Sequence, residues 1–152
     1  MEIQERTVDA RVVVGIREMV PIADLSAFFE RAMPAVAAEL GRAGLTADGP
    51  PLSVYHQRDP EDFEVTVGFP VERAPAAAPA RLAVEELPAG PTVQAVHEGP
   101  YDTLPVTYAA LGDWLSEHDR KYGDTMWEEY LVGPDATVDA LRWRTRVVFP
   151  LD

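Results

Sequence analysis

His97-Glu98-Gly99-Pro100-Tyr101-Asp102 lies where a strand-like stretch, Thr92 to Glu98, gives way to a helical one. Asp102 or Thr103 can cap a helix running to about Tyr122, whose apolar face is Leu104, Tyr108, Leu111 and Leu115 at intervals of 4, 3 and 4. Two strands follow, Met126 to Val132 and Leu141 to Phe149, the last ending in Val148-Phe149-Pro150-Leu151. The same succession stands earlier in the chain. A Val- and Ile-rich strand, Thr7 to Val20, contains Arg17-Glu18 and leads through Val20-Pro21 into a helical stretch, Ala23 to Ala43. Leu52 to Gln57 and Phe63 to Val71 follow as strands, ending in Gly68-Phe69-Pro70-Val71. Glu18 and Glu98 are 80 residues apart, and so are Phe69 and Phe149. Two equal offsets point to a duplicated strand–helix–strand–strand unit.

Each copy has one helix to cover one face of its strands. Two copies side by side make an α+β fold, with a mostly antiparallel sheet and two helices on one face. The expectation is one domain, residues 1–152, with pseudo-repeats at about 7–72 and 80–151 and a ligand groove where the halves meet. In the first helix Leu25, Phe29, Ala32, Val36 and Leu40 share a face, and Gly44 supplies a stop. Pro34 removes one backbone donor inside it, so a kink or two shorter helices are expected. Arg58-Asp59-Pro60-Glu61-Asp62 reads as a turn, and the proline-punctuated run Arg73 to Ala80 as a linker or mobile loop. Leu82 to Leu87 is a further strand, joined to the next by Pro88-Ala89-Gly90-Pro91.

The composition narrows the function. With 47% apolar residues in 152, the chain has enough hydrophobic surface for a packed core. It has no cysteine, which excludes disulfides, thiolate metal sites and a cysteine nucleophile. Asp and Glu number 26 against 13 Lys and Arg, a net charge of 13 − 26 = −13. Such a surface repels phosphate backbones and concentrates cations, so direct nucleic-acid binding is not expected; acidity also serves solubility alone. The N-terminal MEIQERTVDA is no signal peptide and no run is long and apolar enough to span a membrane, so the expected location is the cytoplasm.

No GxGxxG, P-loop or GxSxG is present, and His56, His97 and His118 lack the spacing of metal ligands. No metal or other cofactor is expected. The unusual segment is Met126-Trp127-Glu128-Glu129-Tyr130-Leu131. As a strand it places Glu128 and Tyr130 on one face and Trp127, Glu129 and Leu131 on the other. Consecutive glutamates put one carboxylate on each face, and covering one face forces a carboxylate inward at considerable cost. The alternative is an edge strand with both glutamates solvated. In the last strand Leu141, Trp143, Thr145, Val147 and Phe149 share one face, and Arg142, Arg144 and Arg146 share the other. Those arginines either neutralise nearby glutamates or lie in solvent. Trp143 is either core or pocket wall.

Taken together, the run His97 to Asp102, a helix, and then Glu128-Glu129-Tyr130-Leu131 and Pro134 resemble the GyrI-like small-molecule-binding domain. That domain also serves as the effector-binding module of some AraC- and MerR-type regulators. The similarity extends over nearly the whole chain, including the closing Phe149-Pro150 strand. It implies binding of bulky, planar, lipophilic and often cationic compounds in an aromatic pocket around a glutamate. By the Glu-x-Tyr pattern Glu128 takes that role with Tyr130 beside it. Trp143 and Tyr55 are the expected walls, and Tyr101 and Trp127 complete the ligand-binding set. The resemblance also implies an alternative. Some stand-alone members open cyclopropane rings of DNA-alkylating compounds, and there Glu128 would activate water while Tyr130 or Tyr101 hydrogen-bonds the developing charge. Regulator members carry a DNA-binding domain that is not legible here. A third class is an acidic protein-binding module such as a gyrase inhibitor, which calls for clustered acids, whereas these are spread along the chain.

Overall fold

The computed structural model describes residues 2–75, 77, 79 and 81–152. Met1, and Ala76, Ala78 and Ala80 of the expected linker, lie outside the described residues. The first expected strand, Thr7 to Val20, runs across two: β1 (Ile3–Val8), of which the expectation covers only Thr7 and Val8, and β2 (Arg11–Pro21). They part because they pair with different neighbours. The chain forms two compact units, one of Ala10–Pro88 and one of the first nine residues with Ala89–Asp152, and β1 and β2 belong to different ones.

The Ala10–Pro88 unit holds β2, the helix α1 (Leu25–Ala43), and the strands β3 (Leu52–Gln57), β4 (Asp62–Val71) and β5 (Ala83–Leu87). Its strands lie in the order β3-β4-β2-β5, all pairings antiparallel. α1 packs Val36 and Leu40 on Val14, Val71 and Leu82. Its buried face is Phe28, Ala32, Val36 and Leu40, a stripe set by the 3.6-residue period. The helix runs through Pro34 as one element rather than as two shorter helices. Pro34 is on the exposed side, where the backbone carbonyl left without its N–H partner is not forced into the core. Gly44 ends the helix in the left-handed region (φ 70°), and the Leu45 N–H returns to the Leu40 carbonyl at 3.0 Å.

The other unit holds β1, β6 (Gly90–Glu98), α2 (Leu104–Glu117), β7 (Thr125–Val132) and β8 (Arg144–Pro150). Its strands lie in the order β1-β6-β8-β7, again antiparallel. With two helices and antiparallel strands the fold is α+β, as expected. α2 buries Leu104, Thr107, Leu111 and Leu115 and ends at Glu117 rather than near Tyr122. The backbone at Asp119 turns to positive φ (50°), and the Arg120 N–H bonds back to Leu115 at 2.9 Å, which stops the helix a turn early. The last strand begins at Arg144. Leu141 lies in a short 3-10 turn (Ala140–Arg142), is largely exposed and is not part of the strand's apolar face. Among the described residues no helix is long and apolar enough to cross a membrane.

Candidate functional site

Register builds the site in the unit that holds α2. Glu128 pairs with Val147 and Tyr130 with Thr145, and Thr145 pairs in turn with His97. Cross-strand partners share a face, so Glu128, Tyr130, Thr145 and His97 all look toward α2. Helix residue Tyr108 donates its hydroxyl to Glu128 Oε2, and Tyr130 donates to Oε1 at 2.9 Å. Glu128 is only 5% exposed. An ionised carboxylate is acceptor-only, so both oxygens can take these hydroxyls at once.

Three more rings join Tyr108 and Tyr130 in this cluster. Tyr101, in the 3-10 turn before α2, lies 4.9 Å from the Trp143 ring and edge-on to Tyr130 at 5.9 Å. Trp143 is fixed by its indole N–H, which donates to the Thr137 carbonyl at 2.9 Å. Phe149 lies beneath Tyr108 at 6.0 Å. Burial and the Glu128 charge, with its hydrogen bond, hold the Tyr108 phenol well above the ordinary tyrosine value. Tyr101 is raised as well, by burial first and then by Asp135 and Glu128. Both tyrosines therefore stay neutral donors at physiological pH.

Glu129 is also 5% exposed, on the opposite face, where Arg146 Nη1 donates to it at 2.7 Å. The reading of both glutamates as solvated is thus excluded. Of the three arginines expected to share that face, Arg142 lies in the 3-10 turn outside the strand, and Arg146 neutralises a buried glutamate. Arg144 (to Glu98, 3.7 Å) and Arg142 (to Asp139, 3.5 Å) make exposed pairs. Trp127 is buried on the Glu129 face, opposite Val148, and so does not join the rings around Glu128. Tyr55 belongs to the other unit, where it packs edge-on to Phe29 and Phe63, at 6.2 and 5.9 Å.

A cleft of about 720 Å³ is lined by Gln4, Arg6, Gln94, Val96 and Arg146 on the Glu129 face of this unit's sheet, by His97, and by Thr103 and Val106 at the start of α2. Neither Phe, Tyr nor Trp lines it, so an aromatic ligand finds no stacking surface there. Aromatic rings are grouped instead beside Glu128, where Tyr101 packs on Tyr130 and Trp143.

Two buried polar groups lie outside the expected set. His97 bonds the Thr107 hydroxyl through Nδ1 at 2.7 Å, and its Nε2 faces the Pro100 carbonyl at 3.1 Å. A carbonyl only accepts, so Nε2 carries the proton, and the ring ties β6 to the start of α2. Glu85 on β5 is 7% exposed and accepts from His56 Nε2 and from Arg17 at 3.3 Å. Burial alone pushes its carboxyl up, but His56, Thr66 and Arg17 together outweigh this and hold it below the usual value. Among the described residues, no three His, Asp or Glu side chains are grouped to hold a metal ion.

Solved structures share this fold. The EcmrR C-terminal domain superposes with a TM-score of 0.87 at 23% identity, covering 99% of this chain and 97% of that one. The chain spans 57% of the EcmrR chain seen in its DNA complex. SAV2435 bound to tetraphenylphosphonium matches at TM-score 0.75 and 14% identity over 100% of this chain and 94% of that one. A hydrolase from Listeria innocua matches at 0.65 and 15%, over 99% and 92%. No curated protein matches by sequence. The profile of the GyrI-like small molecule binding domain matches residues 1–152, and the chain belongs to that family.

Proposed function

We propose that this chain binds bulky, planar, lipophilic cations at Glu128, under the rings of Tyr101, Tyr130 and Trp143. The observation that carries the reading is a glutamate 5% exposed, held by two tyrosine hydroxyls, one of which belongs to a ring packed on Tyr101. A ring face attracts a cation by about 0.5–2 kcal/mol, and a desolvated carboxylate adds a charge pair far stronger than one at the surface. The SAV2435 complex, with its lipophilic aromatic phosphonium cation, supports the cationic and lipophilic part of this reading, though that cation is tetrahedral rather than planar. Because Tyr101 packs on Trp143, a ligand ring enters by displacing Tyr101.

Titration with tetraphenylphosphonium or a planar dye, followed by tryptophan fluorescence, tests this. Glu128→Gln keeps shape and removes charge. It is expected to cost about 1.5–3 kcal/mol, roughly 10- to 150-fold in affinity, while a neutral analogue of the same shape binds more weakly to the parent and is indifferent to the change. Glu129→Gln leaves cation affinity unaltered if the face is right. The reverse pattern assigns the site to the other face of β7.

The same constellation supports a hydrolase reading, in which Glu128 deprotonates water for opening a cyclopropane-bearing alkylator. Against it, both carboxylate oxygens already accept hydroxyl protons, which suits a fixed counter-charge better than a base. Turnover separates the two. A catalyst converts many equivalents to water adducts carrying oxygen from labelled water, and Glu128→Gln slows it by about 10²–10⁴-fold. A binder consumes at most one equivalent.

A further inference from the structure

Thr145 is fully buried, and its Oγ1 is the one buried side-chain polar atom among the described residues with no hydrogen-bond partner. A buried hydroxyl left unpaired costs stability, and valine would fill the same volume without that cost. β8 has valine at both Val147 and Val148, so the strand readily takes the apolar isostere.

The position of this hydroxyl explains why it is there. Thr145 stands directly across from Tyr130 on one side and His97 on the other. The Tyr130 hydroxyl is committed to Glu128, and His97 is committed to Thr107 and the Pro100 carbonyl. Tyr101 contacts both Tyr130 and Trp143, the latter two residues before Thr145. The hydroxyl therefore lies on the sheet face that carries Tyr130 and Glu128, beside the rings that Tyr130 packs against. Glu128 is a diagonal cross-strand neighbour on the same face, its residue position about 7–8 Å from that of Thr145, the scale of a fused ring system.

We infer that Thr145 is a specificity-determining residue of the site, and that it selects aromatic cations bearing a ring-attached amino group. This rests on the binding role proposed for Glu128. The cationic centre pairs with Glu128 while the amino group, one ring away, donates to Thr145 Oγ1. A cation without a hydrogen-bonding substituent gains nothing from that hydroxyl.

Two probes distinguish the contributions. Proflavine is planar, cationic and carries ring amino groups; tetraphenylphosphonium is cationic and aromatic with no hydrogen-bonding group. In the full chain, Thr145→Val is expected to weaken proflavine about tenfold, the worth of one such bond, and to leave tetraphenylphosphonium within twofold. Thr145→Ser, which keeps the hydroxyl, retains most proflavine affinity. Thermal unfolding of Thr145→Val at or above the parent temperature shows that the loss is not one of folding. Equal losses for both probes, no loss for either, or a Ser variant as weak as Val overturns the inference. If the parent binds neither probe, the Glu128 site itself fails, and this inference with it.

Discussion

Glu128 and Glu129 are adjacent and equally buried, yet their surroundings differ in kind. Glu129 is neutralised by the guanidinium of its cross-strand partner, a structural ion pair. Glu128 is held by two phenols. The Tyr108 phenol is raised, so its contribution to stability has a defined sign. A proton held more tightly in the folded state stabilises fully below the unfolded tyrosine value of about 10 and is lost as pH rises above it. Stability is expected to fall on the alkaline side of pH 10, and Tyr108→Phe to make that fall shallower while costing stability at neutral pH by about 1.5–3 kcal/mol for a bond to a charged group. Denaturant unfolding from pH 8 to 11 measures both effects. An unchanged alkaline slope shows that Tyr108 is not the group responsible.

Among the elements, β5 depends most on shape. Glu85 and His56 lie three strand spacings and six residues apart along the register, roughly 14 Å across and about 20 Å along on a flat sheet. They nevertheless meet, so the sheet of the Ala10–Pro88 unit must coil with this face inside. Gly15 and Gly68, paired on that face, make the coil possible, since a Cβ on either would overlap the other strand's backbone at Val67 or Val14. The Glu85 carboxyl is held below its usual value, so its stabilisation is present above about 4.5 and lost as pH falls through the lower folded value. Glu85→Gln is expected to lower stability at pH 7 and to flatten the acid limb below pH 4.5. A variant whose acid limb matches the parent's rules out this pair as the origin of acid sensitivity.

At the scale of the molecule, a net charge of −13 acts on ligands before they reach the site. Surface charges are screened beyond about 8 Å at physiological salt, whereas a desolvated pair at Glu128 is screened little. Raising salt from about 0.02 to 0.5 M should therefore slow association of a cationic dye several-fold and leave its dissociation rate nearly constant. A neutral dye of the same shape should be insensitive in both. Stopped-flow fluorescence reads these rates, and a salt effect confined to dissociation places the attraction at the surface instead.

The strand–helix–strand–strand succession, the α+β class and the inward turn of a carboxylate on β7 were legible in the sequence. They rest on local periodicity, Gly and Pro punctuation, and the cost of burying a charge. Glu128 and Tyr130 share a face by strand alternation alone, and Tyr101 and Trp143 could be named from the family resemblance. Four things needed the tertiary structure. β1 is not legible up to Arg6 and its last two residues read on into β2, because alternation cannot show which neighbour a strand pairs with. Tyr108 read as one apolar position among leucines, although a buried phenol needs a partner, and only helix packing supplied Glu128. Glu85 and His56 are separated by a sheet whose coil no local pattern encodes. Thr145 became distinctive only once every neighbouring group was seen to be committed elsewhere. Periodicity is a property of neighbours along the chain, whereas hydrogen-bond satisfaction, coiling and electrostatic pairing depend on groups brought together from distant positions, and those were decided by the fold.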